Sequence, residues 1–110
     1  MAWLDSPNVK EQEQVAAFVA DNDMKSDPAY RILDLVAEIG EIAADATKST
    51  EWGEDPEALD VKRDEIGDAL FSLLAVADAL DVNAGEALDD TLEKYRRRIR
   101  ETGDSSSGEK

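Results

Sequence analysis

The sequence predicts an all-α fold, a four-helix protomer whose helices pack into an oligomeric bundle. Three observations predict it. Ser6-Pro7, Asp27-Pro28 and Asp55-Pro56 each set a capping side chain before a proline that suits the first helical position. Apolar residues between these points recur at helical spacing, and no strand-like alternation competes with them. The hydrophobic share is 42% with 5% aromatic residues, so the core is made of Ala, Val, Leu and Ile, which suits helices packed closely together.

The first helix is read over roughly 7–21, opened by Ser6 and Pro7. The second runs over roughly 28–48 from Asp27-Pro28. On it Ile32, Leu35, Val36, Ile39, Ala43 and Ala46 share an apolar arc, which predicts a core-facing surface, while Asp34, Glu38, Glu41 and Asp45 lie to one side of the opposite face. A polar connection, 47–55 (TKSTEWGED), leads to the third helix over roughly 56–80. Residues 69–80 (ALFSLLAVADAL) are apolar nearly all round, which requires burial on most sides, in a bundle or between subunits. Glu65 and Asp68 precede them and continue into the small residues Ser72, Ala75 and Ala79. The fourth helix covers roughly 84–101, with Asn83 as its cap and Glu86 completing a capping-box-like arrangement. One domain therefore spans 1–101, and the tail 102–110 (TGDSSSGEK) is compositionally disordered.

A chain of 110 residues is small enough that burying its apolar surface favours association. Its net charge is −15 and its pI near 4.1, with acidic residues spread along the whole length. That pattern predicts a solvated halophilic surface, on which salt screens self-repulsion. Nucleic acid and anionic membranes are excluded as partners, since the only basic run is Arg96-Arg97-Arg98 with Arg100. No cysteine and no histidine occur, so disulfides, thiolate chemistry and imidazole ligation are all excluded. No apolar run approaches a membrane span and MAWLDSPNVKE lacks a signal-peptide core, so a cytoplasmic protein is expected.

Two spaced acidic pairs carry the chemistry, Glu38-x-x-Glu41 and Glu65-x-x-Asp68. Residues three apart on a helix point the same way, so each pair can converge on one cation. Two such helices face to face make an all-oxygen cage, which suits Mg²⁺ and, as second choice, Mn²⁺. The plainer readings of Glu65 and Asp68 are charges in an exposed first turn, partners of Lys62 or Arg63, or more halophilic surface. One such pair is explained by chance in a chain this acidic. Two pairs on consecutive helices, the second opening a buried run, favour a metal site, because unpaired carboxylates there are costly.

The segments LVAEIGEI (35–42), DEIGD (64–68) followed by ALFSLLAVADAL, and LEKYRRRI (92–99) resemble the MazG-type nucleotide pyrophosphohydrolases of the all-α NTP pyrophosphatase superfamily. The resemblance runs from about residue 12 to 99 and includes the order and separation of both acidic pairs. It implies a four-helix protomer assembled as a dimer or tetramer. It also implies Mg²⁺-dependent hydrolysis of nucleoside triphosphates, standard or modified and including deoxynucleotides, to monophosphate and pyrophosphate, in a house-cleaning or pool-regulating role. Glu38, Glu41, Glu65 and Asp68 become the metal ligands, with Glu41 or Glu38 also serving as general base. Lys94 and Arg98 match the family's phosphate- and sugar-holding residues, although their plainer role is as charges favourable near a helix C-terminus. Thr91 and Tyr95 depart from the pattern, standing where relatives commonly carry Lys and Asn. Trp52 either stacks on the base or covers a subunit edge, and Lys48 either reaches a phosphate or is solvated. Two other classes remain. One is a non-enzymatic acidic helical oligomerisation or interaction module; the other is a di-iron bundle, which typically uses Glu-x-x-His and finds no His here.

Overall fold

A computed structural model describes residues 10–103, and among them every regular element is helical. The four helices are α1 (Lys10–Asp21), α2 (Pro28–Ser49), α3 (Arg63–Ala79) and α4 (Ala84–Thr102), with a short 3₁₀ turn at Pro56–Ala58. The expected start at Ser6-Pro7 and the tail beyond Gly103 lie outside the described residues. Pro28 opens α2, but the Asp27 side chain makes no capping hydrogen bond; its carbonyl instead accepts from the Tyr30 and Arg31 amides. Asn83 does cap α4, its Oδ1 accepting from the Glu86 amide at 2.9 Å. Thr102, expected to begin the tail, is still helical, and Gly103 ends α4 at φ 75°, the left-handed conformation that glycine adopts at low cost.

The third helix starts later than the sequence predicts. Asp55-Pro56 opens only the 3₁₀ turn, and the backbone then stays extended to Lys62. Side chains of α2 explain the delay. Ser49 Oγ accepts from the Asp60 amide at 2.9 Å and Asp45 Oδ2 from the Lys62 amide at 3.3 Å, so these donors are bound to α2 rather than released into a helical turn. Glu65 consequently sits in the first turn of α3.

Helix α3 is the centre, packed against α2 on one side and α1 on the other, while α4 makes few contacts with the rest. Ala69, Ser72, Leu74, Ala75, Val76 and Ala77 are buried along it. Helix α2 presents to α3 the face carrying Arg31, Leu35, Glu38, Ile42 and Asp45, all buried or half-buried. Most of the apolar arc expected in the core is turned the other way: Ile32, Val36, Ile39 and Ala43 are exposed, Val36 at 63%, while Leu35 and Ala46 at its edges are half-buried. Leu70 and Leu73 of α3 and Leu88, Leu92 and Ile99 of α4 are exposed as well. The three-layer arrangement α2–α3–α1 leaves these apolar sides without a covering neighbour among the described residues.

One polar side chain fastens α1 to the α3–α4 junction. Gln12 is 1% exposed; its Nε2 donates to the Val82 carbonyl at 2.7 Å and its Oε1 accepts from the Ala84 amide at 2.8 Å. Gln12→Leu is expected to destabilise the fold by about 1–3 kcal/mol, because a fully buried amide that bonds two part-buried backbone groups is lost and each of those groups loses its partner. Chemical denaturation at fixed protein concentration measures it, and an unchanged midpoint would refute the role.

Candidate metal centre

Both acidic pairs lie along the α2–α3 contact. Positions 38 and 45 share one face of α2, two turns apart, and α3 enters beside them at Glu65 and Asp68. Glu38 and Glu65 are half-buried, whereas Glu41 and Asp68 are exposed at the rim. Glu38 Oε2 and Glu65 Oε2 are buried with no hydrogen-bond donor among the described residues. Neither Glu65 nor Asp68 forms an ion pair with Lys62 or Arg63 there, which removes the pairing explanation.

The acids feel one another. Partial burial raises the proton affinity of Glu38, and the charges of Glu41, Asp68 and Asp34 raise it further. Glu65 is pushed up to about 7, first by a hydrogen bond with the Asp45 carboxyl, then by desolvation and by the charges of Asp45, Glu41 and Asp64. Asp45 is correspondingly lowered by that bond and by the Lys62 amide, so the proton of the pair resides on Glu65. Across the interface runs a string of carboxylates, Asp68, Glu38, Glu41, Glu65 and Asp45. Among the described residues, however, no three acidic side chains close to metal-binding distance.

The donor set nonetheless fits a hard divalent cation in kind. Every candidate ligand is a carboxylate oxygen, Glu38 Oε2 has no hydrogen-bond partner among the described residues, Glu65 is bound only to the Asp45 carboxyl, and the mutual repulsion is of the sort that a cation relieves.

Two residues join the site that the sequence reading passed over. Asp45 was placed on the acidic arc, but its partnership with Glu65 depends on the tertiary contact. Arg31 lines a cleft of about 350 Å³ together with Asp34, Glu38, Asp68 and Ser72. It is 8% exposed and its Nη2 donates to the Met24 carbonyl. The spacing 31, 38, 45 is the signal that could have revealed both, since sevens along a helix mark a single packed face.

The expected substrate residues are dispersed. Lys48 is exposed in the last turn of α2, near enough to Asp45 to act on its charge. Trp52 is 80% exposed in the turn beyond, where Glu51, Trp52 and Gly53 all have positive φ. Lys94 and Arg98 flank the Tyr95 ring on α4, at 5.4 and 5.9 Å from its centroid, so Tyr95 organises both cations. Because α4 touches the other helices so little, this cluster is not brought to the acids within one protomer. A larger apolar cavity of about 460 Å³ opens from Asp68 between α1 and α3, with Phe18 and Phe71 edge-to-face at 5.9 Å.

No helix among the described residues is long and apolar enough to cross a membrane. Comparison with protein-family models, with curated proteins and with solved structures gives no match.

Proposed function

We propose that the protein is a Mg²⁺-dependent nucleoside triphosphate pyrophosphohydrolase of the MazG-like kind, acting as a homo-oligomer. The observation that supports the reading is the approach of the Glu38/Glu41 and Glu65/Asp68 pairs along the α2–α3 contact, with a buried Glu38 oxygen that has no hydrogen-bond partner among the described residues and a Glu65 bound only to another acid, Asp45. Glu38, Glu41, Glu65 and Asp68 would hold the metal, Mn²⁺ being the natural substitute. A bound divalent ion supplies charge neutralisation on the phosphates and a more acidic water. Glu38, half-buried and with raised proton affinity, is better suited than exposed Glu41 to take up a proton from the attacking water. The apolar cavity beside Asp68 offers room for a nucleoside next to the acids. Lys94 and Arg98 would complete the phosphate site from α4 of another subunit, and the exposed arc Ile32, Val36 and Ile39 supports that assembly.

The exposed apolar arc also favours a second reading, a non-enzymatic helical interaction module, which forecasts no chemistry at all. Pyrophosphate release from a panel of standard and modified nucleoside triphosphates, with Mg²⁺ at high and low salt, separates the two. The expected result is metal-dependent release that rises with pH through about 7, because Glu65 must give up its proton to bind a cation. Raising Mg²⁺ should move that rise to lower pH. The sign for stability is opposite: a carboxyl raised from 4.5 to about 7 stabilises the fold fully below its unfolded value and loses that contribution as pH climbs through about 7. Absence of release across the panel would leave the module.

A further inference from the structure

A cavity of about 290 Å³, largely apolar in its walls but holding a small charged cluster, lies beside Arg31, between the C-terminal end of α1, the α1–α2 connection and the last turns of α3. Its walls include Val19 and Ala75, and its polar groups are Lys25, Ser26, Arg31 and Asp78. Arg31 is 8% exposed yet spends one donor on the Met24 carbonyl and forms no ion pair among the described residues. A buried guanidinium with donors to spare is an oxyanion-binding group. Asp78 faces the same space with Oδ1 buried and unpartnered. Burial raises its proton affinity, Lys25 and Arg31 pull it down, and Asp81 adds to the rise.

Two cations and one carboxylate around a small cavity specify more than an anion. The cations attract an oxyanion, and the orphaned Asp78 oxygen requires that the same ligand present a hydrogen-bond donor. We infer that this cavity is a binding site for a phosphate-class oxyanion bearing a P–OH group, held by Arg31 and Lys25 and selected by Asp78. Inorganic phosphate keeps such a proton throughout the neutral range, a monoester keeps it only below its second pKa of about 6, and sulfate does not carry it. The inference is independent of the metal centre, since the site lacks every one of its four acids.

Isothermal titration of the full chain with inorganic phosphate, sulfate and glycerol 3-phosphate, in EDTA at matched ionic strength, tests it without divalent cations. Saturable phosphate binding is expected, with sulfate weaker by tenfold or more, about 1.4 kcal/mol. Lys25→Gln, at an exposed position, should weaken phosphate and sulfate alike. Asp78→Asn, checked for folding by circular dichroism, should abolish the preference for phosphate, because an amide can donate to sulfate. At pH about 5.5, where the monoester also carries a P–OH, glycerol 3-phosphate binding at least as well as the free ion would identify an organic monoester as the ligand, and the reverse order the free ion. No saturable phosphate binding, equal binding of sulfate by the wild type, or a preference retained in Asp78→Asn would overturn the assignment.

Discussion

Glu38→Gln, Glu41→Gln, Glu65→Gln and Asp68→Asn should each cut Mg²⁺-dependent pyrophosphate release by about a hundredfold or more. An amide keeps the shape of a carboxylate and loses its charge, and metal coordination is worth several kcal/mol of charge stabilisation, each ~1.4 kcal/mol being tenfold in rate. The fold should respond in the opposite direction. Glu38 and Glu65 are both held above their ordinary proton affinity by burial and by neighbouring acids, so removing one charge relieves repulsion in the metal-free chain. Melting temperatures in EDTA at neutral pH should therefore hold steady or rise while activity collapses. Far-UV circular dichroism, thermal melts and the release assay together decide it; full activity in any two variants would sink the metal site.

Leu73→Glu should turn the assembly into monomers, and Val76→Glu should unfold it. The two positions lie three apart on α3, but Leu73 is 49% exposed and Val76 is 9% exposed within the protomer. A charge at Leu73 harms only what packs on that face from outside. At Val76 it enters the core, where an unpaired carboxylate is costly. Sedimentation at micromolar concentration in high salt, beside circular dichroism, distinguishes the outcomes. A wild type that sediments as a monomer would remove the premise, since the exposed arcs of α2 and α4 would then have no covering copy.

Helix number, the Pro28 start, the Asn83 cap and the burial of much of 69–80 could be read from local chemistry, because capping and periodicity are short-range properties. The direction of α2 could not. An amphipathic helix shows which side is apolar, but not which side meets its neighbour: Ile32 and Val36 are exposed, whereas Arg31 is buried and Glu38 half-buried. Likewise, Asp55-Pro56 is a sound local start signal that lost to Ser49 and Asp45, residues on another helix. The acidic pairs were legible from their spacing, whereas the raised affinity of Glu65 required Asp45 to arrive from across the contact.

The buried amide of Gln12 sets an order of events during synthesis. Its two partners lie 70 and 72 residues downstream, so α1 leaves the ribosome long before the groups that must bond to it exist. The chain grows from its N-terminus, and contacts of high sequence separation cost the most loop entropy. The α2–α3 hairpin can close first, needing only its own connection and the Ser49 and Asp45 bonds within it. Packing of α1 on α3 can begin once α3 is available, but the two Gln12 bonds that fasten it wait until Val82 and Ala84 have emerged.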